Sequence, residues 1–228
     1  MDKFKIEKAA LDLQKRIWQQ QKILWPHRLP QPIDMLDPVI AAKVLNINFE
    51  YHEELGAFGD RSGRFEIAGL LDRQVNKIAI SKRFSLEIVR FTGAHEIGHW
   101  VLHPGEVMHR DLPIEGLGNK VSNRRPEERE ADYFAACFLM PRKLVTKTFQ
   151  STFRVKPPFV FDDTSAFNLC PDDPDSLLRP YDGSLDRALG LASAKSYGGE
   201  HFDSLAKQFR VSVKTMAIRL KELGLIQE

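Results

Sequence analysis

Apolar positions Phe4, Ile6, Ala10, Leu13, Ile17 and Leu24 recur near helical spacing and predict a first helix over 3–24, ended by Pro26, Pro30 and Pro32. Asp37-Pro38 then opens a short helix through Leu45, with proline suited to the first turn. Ile47, Phe49 and Tyr51 alternate with Asn48, Glu50 and His52, the pattern of a strand with one wet face. Residues 56–63 read as a loop. Residues 65–71 and 75–81 read as two strands joined by a turn at 72–74, so that a small antiparallel sheet precedes the next helix. Ser85 is the expected N-cap of that helix and Pro104-Gly105 its stop. After a loop over 105–125, Pro126-Glu127-Glu128 starts a second strong helix that runs to Met140 and stops at Pro141. A third helix follows over 142–149.

Residues 157–184 interrupt this regularity with five prolines (Pro157, Pro158, Pro171, Pro174, Pro180) and six aspartates, among them Asp162, Asp163 and Asp182. Such a stretch is expected to be an insert, either a functional cover or a connector. Beyond it, 185–197 reads as helix. Residues 202–209 and 213–223 read as two helices around a tight turn at Arg210-Val211-Ser212, the pattern of a helix-turn-helix. The second of these helices would present Lys214, Thr215 and Arg219 to a nucleic-acid groove or to a protein partner. The flanking Asp203, Glu222 and Glu228 dilute the basic face that phosphate binding wants, which favours a structural or docking unit. The organisation expected is therefore a first domain over 1–156, an insert or linker over 157–184 and a helical, helix-turn-helix-like module over 185–228.

Composition narrows the setting. The 228 residues are 43% hydrophobic and 28% charged, ordinary for a globular protein, and the net charge of +2 is too small to argue for nucleic acid or an acidic membrane. The two cysteines, Cys137 and Cys170, form no Cys-x-x-Cys pair, and 134–140 is the longest apolar run. The first residues lead straight into an amphipathic pattern without an apolar signal core. These features point to a reducing, cytoplasmic setting with no membrane partner.

Chemistry concentrates in His95-Glu96-Ile97-Gly98-His99. On a helix the two imidazoles stand one turn apart on one face, where they can close on a single zinc ion, and Glu96 can reach the water that the ion activates. Two histidines do not hold a catalytic zinc; a third protein ligand is needed. The pattern with a third histidine six residues on fails, since Leu102 and Gly105 stand where Gly and His are required. His103 lies eight residues from His95, about 12 Å along the axis, too far to share one ion, and reads as a helix C-terminal cap or surface residue. The helix opening at Pro126 offers Glu127, Glu128 and Glu130. Glu128 shares the apolar face with Ala131, Ala135 and Phe138, and only Glu128 has an acid one turn later, Asp132, able to accept from a ligand imidazole. Three acids in a first turn also suit a helix N-terminus by its dipole alone. The ligands expected are His95, His99 and Glu128, with Glu96 as catalytic base and Asp132 behind the ligands. The ion expected is a single Zn2+; the same donors accept Mn2+ or Fe2+.

The stretches 90–103 (Arg-Phe-Thr-Gly-Ala-His-Glu-Ile-Gly-His-Trp-Val-Leu-His) and 128–141 (Glu-Arg-Glu-Ala-Asp-Tyr-Phe-Ala-Ala-Cys-Phe-Leu-Met-Pro) resemble the ImmA/IrrE family of metallopeptidases, as do Leu71-Asp72 and Lys77-Ile78-Ala79-Ile80-Ser81. The resemblance covers about 40–150. It implies an α+β, zincin-like core in which a small antiparallel sheet packs on the active-site helices, with a helix-turn-helix-like module after it. It implies the same ligands and base, and a protein substrate: a helix-turn-helix transcriptional repressor, cleaved to relieve repression. Gly93, where the family usually has an apolar residue, and the 157–184 insert depart from the pattern. A second reading is a DNA-binding or partner-binding regulator whose peptidase-like domain senses without cutting; the presence of Glu96 favours the enzyme.

Overall fold

The computed structural model describes residues 1–60, 63–105, 107–111, 125–181 and 183–227, and the chain divides into two units, Met1–Leu139 and Met140–Glu228. The first holds α1 (Lys3–Gln19), α2 (Gln21–Leu24), α3 (Pro38–Leu45), β1 (Asn48–His52), β2 (Ala57–Asp60), β3 (Gly63–Glu66), β4 (Gly69–Asp72), β5 (Lys77–Ser81), α4 (Leu86–Leu102), β6 (Met108–Asp111) and α5 (Pro126–Leu139). The second holds α6 (Arg142–Phe153), α7 (Asp163–Leu169), α8 (Asp175–Leu178), α9 (Asp186–Ser193), β7 (Ser196–Tyr197), β8 (Glu200–His201), α10 (Leu205–Phe209) and α11 (Val213–Glu222). The architecture is α+β with a zincin-like core. No helix among the described residues is long and apolar enough to cross a membrane.

Helix α1 starts at its Asp2 cap and buries Ile6, Ala10, Leu13 and Ile17, spaced four, three and four apart. Phe4, assigned to that face from sequence, points outward and is 78% exposed. On the buried side the α1 residue Gln14 donates from Nε2 to the carbonyls of Cys137 and Phe138 at 3.2 and 3.0 Å, satisfying acceptors at the end of α5.

The sheet runs β1-β5-β4-β6. It corrects the expected all-antiparallel pairing: β4 pairs antiparallel with β5 and β6, but β1 runs parallel to β5, with Phe49 opposite Ile78 and Tyr51 opposite Ile80. A parallel neighbour needs a long crossover, and residues 53–76 supply it. That crossover also corrects two local readings. The expected loop at 56–63 contributes to a β2–β3 hairpin, and the expected single strand over 65–71 is divided between β3, which pairs with β2, and β4, which pairs with β5. The division falls at the buried Ile67-Ala68. The β4–β5 turn forms as expected: Asp72 Oδ1 accepts from Gln74 N at 2.9 Å, and Asn76 takes a left-handed φ of 50°. The loop expected over 105–125 lies largely outside the described residues.

Helix α4 begins at Ser85, whose Oγ accepts from Ile88 N, and is buried from Val89 through His99. It is anchored at both ends. Arg90 donates to Leu36 O at 2.6 Å and to Asp37 Oδ2 at 3.3 Å. At the far end Arg73 from the β4–β5 turn donates to the carbonyls of His99, Trp100 and His103 at 2.9 to 3.0 Å, with its guanidinium over the Trp100 ring. A cation on those terminal carbonyls adds to the bond that His99 O already accepts from His103 N and complements the helix dipole. Gly98 lets α5 approach: a Cβ there would meet the Cα and O of Ala131 at 3.1 Å. Gly93 has a similar origin, since a Cβ would meet Phe49 at 3.0 Å and Pro38 at 3.1 Å.

In the second unit, α6 runs to Phe153, beyond the expected end at 149, because Val145, Phe149 and Phe153 form one buried face. Phe153 packs edge-on against Phe159, Tyr197 and Phe202 at 5.6 to 5.8 Å between ring centroids. Within 157–184 the described residues include two short helices, α7 and α8. Phe159, Ala166 and Leu177 are buried there. Asp162 caps α7 by accepting from Ser165 N at 2.7 Å. Phe159 exchanges backbone bonds with Leu225 and Gln227 at 2.8 and 3.0 Å. Asp182 lies outside the described residues.

Candidate metal centre

Two packed helices build the centre. From α4, His95 and His99 point the same way, with their Nε2 atoms 3.0 Å apart. From α5, the Glu128 carboxylate reaches both, Oε2 at 3.6 Å from His95 Nε2 and Oε1 at 3.9 Å from His99 Nε2. Both histidines are fully buried, and Glu128 is 8% exposed. Among the described residues this is the group of His, Cys, Asp and Glu side chains that could hold a metal ion.

The donors fit a tetrahedral ion. Zinc bonds of 2.0–2.1 Å set neighbouring ligand atoms about 3.3 Å apart, close to the 3.0 Å between the two Nε2 atoms, and one atom of each of the three residues lies within 4.8 Å of the others. The proton positions agree. Asp132, also on α5, lies 2.9 Å from His95 Nδ1, where its carboxylate accepts the N–H and leaves the Nε2 lone pair facing inward. His99 presents its Nε2 to the same point. An ion bound between the two Nε2 atoms, 3.0 Å apart, would take a lone pair from each. Two imidazoles and one carboxylate leave a fourth position for water and accept Zn2+ readily; Mn2+ and Fe2+ suit the same set.

Glu96 follows His95 on α4 and is fully buried. Its side chain lies against β4 at Gly69, where a Cβ would come within 2.5 Å of Glu96 Oε1 and 2.7 Å of Thr92 Cγ2. Sequence reading passed over Gly69, because a glycine opening a short strand carries no chemical signal. It also passed over Arg125, whose guanidinium donates to Glu128 Oε1 at 3.0 Å. His103 takes the helix C-cap position expected of it, its N–H bonded to His99 O at 2.9 Å, but its ring also meets His99 and Glu130.

The structure thus brings together His95, His99, Glu128 and Asp132. It does not do the same for the three residues assigned to a groove. Lys214 is exposed on α11, but Thr215 and Arg219 are buried. Thr215 bonds the Ser212 hydroxyl at 2.8 Å, and Arg219 donates to Met140 O and Glu222 Oε2 at 3.1 Å. These two hold the module together, because helical spacing alone does not say which face turns inward.

A mixed sheet backing a helix with two ligand imidazoles, and a second helix that brings a carboxylate to them, define a zincin-like, metallopeptidase-type domain. Residues 53–155 match the family model of the IrrE N-terminal-like domain of the M78 peptidases. No curated protein matches the chain.

Proposed function

We propose that the chain is a zinc-dependent endopeptidase of the cytoplasm that cleaves a protein substrate, a helix-turn-helix transcriptional repressor, and so relieves repression. The observation that carries the catalytic reading is the convergence of His95, His99 and Glu128, with Glu96 on the turn of helix between the two imidazoles. The repressor as substrate rests on the family likeness alone.

His95, His99 and Glu128 would hold the ion. When bound, it supplies Lewis acidity, polarising the scissile carbonyl and drawing the pKa of a water toward neutrality. Glu96 accepts a proton from the attacking water, whose oxygen bonds to the carbonyl carbon. As the C–N bond breaks, Glu96 delivers that proton to the leaving amine nitrogen. Asp132 holds the His95 ring in orientation through Nδ1. Gly69 leaves Glu96 its space against β4. Arg125 pairs with one oxygen of Glu128 and steadies the third ligand.

The alternative, a DNA-binding sensor that does not cut, has less support: of its three contact residues only Lys214 is exposed. The test is incubation of a candidate helix-turn-helix repressor with the zinc-loaded protein and with Glu96→Gln. Cleavage by the wild type alone is the expected result. Equal cleavage by both overturns the role of Glu96. Binding of the repressor without cleavage by either favours the non-cutting reading.

A further inference from the structure

His103 and Glu130 are not needed for anything described so far. The backbone N–H of His103 caps α4 by bonding His99 O at 2.9 Å, and any residue but proline supplies that group. Its ring does something else. His103 Nδ1 lies 3.1 Å from His99 Nδ1, and His103 Nε2 lies 3.2 Å from Glu130 Oε2. The rings of His99 and His103 are 5.1 Å apart between centroids, and the His103 side chain is 11% exposed. Both acids that end these contacts, Asp132 and Glu130, belong to α5, the helix that brings Glu128.

We propose that His103 and Glu130 form a positioning relay for His99, the counterpart of what Asp132 does for His95. The proposal rests on the metal reading above. A ligand imidazole offers its lone pair at Nε2, so His99 carries its proton at Nδ1, aimed at His103. His103 Nδ1 accepts that proton's bond and therefore carries its own proton at Nε2. There it donates to the Glu130 carboxylate. One assignment of protons satisfies every contact in the row, and the row ends on an acceptor that needs no proton. A carboxylate on His95 and a histidine–carboxylate pair on His99 then fix both rings from the side away from the ion. Neither His103 nor Glu130 touches the reacting atoms; both act through His99.

The test measures Zn2+ affinity by competition with a chromophoric chelator, using the full chain. His103→Ala is expected to bind Zn2+ on the order of 10–100-fold more weakly, the usual effect of losing a partner behind a ligand histidine. Glu130→Ala is expected to shift affinity the same way, and the double variant to be no weaker than His103→Ala, because Glu130 acts through His103. His103→Asn, whose amide oxygen can accept from His99, recovers part of the loss. In the zinc-loaded wild type the His99 Nδ1–H proton exchanges slowly with water by NMR; in His103→Ala it exchanges fast. Circular dichroism of each zinc-free variant separates misfolding from weak binding, and Glu130→Ala carries the test if His103→Ala does not fold. Wild-type affinity and slow exchange in both single variants, with His95→Ala unable to bind, overturns the relay and leaves the metal reading standing. A wild type that binds Zn2+ no better than His95→Ala overturns both.

Discussion

The Glu96 carboxylate lies over Gly69 so closely that a Cβ on that glycine would come within 2.5 Å of Glu96 Oε1. A strand residue without a side chain therefore sets where the proposed base rests. Gly69→Ala should displace Glu96 and Thr92 while leaving the ligands in place. The expected outcome is normal zinc content with a fall in kcat of about 100-fold, the scale of a misplaced catalytic group. Full activity in Gly69→Ala would show that Glu96 has room elsewhere.

Zinc should stabilise the folded chain, since the three ligands converge only there. Free Zn2+ at about 100 times its Kd should add about 2.7 kcal/mol, read as a rise in Tm that a chelator reverses. His95→Ala and Glu128→Ala should lose the rise, and Glu96→Gln should keep it. Loss of the rise in Glu96→Gln would place that residue among the ligands.

The approach of α4 to α5 depends on Gly98, where a Cβ would meet the Cα and O of Ala131 at 3.1 Å. Backbone cannot rotate aside, so Gly98→Ala should destabilise the protein by about 1–3 kcal/mol. It should also weaken zinc binding, because Glu128 is carried on the displaced helix. Denaturant unfolding and chelator competition check the two effects separately.

Glu50 on β1 accepts from Lys77 Nζ at 2.6 Å on β5 and from Asn48 Nδ2 at 2.7 Å. The Lys77 ammonium first, and then Asn48, hold its pKa down at about 2, against an ordinary value of 4.5. A depressed folded pKa means a contribution present above pH 4.5 and lost as pH falls from there toward 2. Glu50→Gln should therefore flatten the acid side of the stability curve in that window and leave its shape unchanged near neutrality. An identical acid limb in the variant would refute the assignment.

Arg219 is 2% exposed and bonded to the Met140 carbonyl. Removing it leaves a buried acceptor without that donor, at a cost of about 1–3 kcal/mol. Arg219→Ala should lower Tm, while Lys214→Ala, on the exposed side of α11, should stay within about 0.5 kcal/mol of wild type. Equal stability of the two would return Arg219 to the surface.

What the sequence determined by itself was local. The spacing of His95 and His99, the proline and acids opening α5, and the Ser85 and Asp37 caps depend on the rise and twist of one helix, which a few neighbouring residues set. Glu128 could be picked from three acids because Asp132 one turn later marks the same face. Tertiary structure decided the rest. The parallel partner of β5, the buried face of α11 and the order within 157–184 depend on which apolar surfaces meet. Gly69 beneath Glu96 and the His103–Glu130 pair join residues 27 positions apart in each case. No periodicity links such positions. Their contact exists because packed helices and strands stand at one particular distance and rotation, which the whole core sets together.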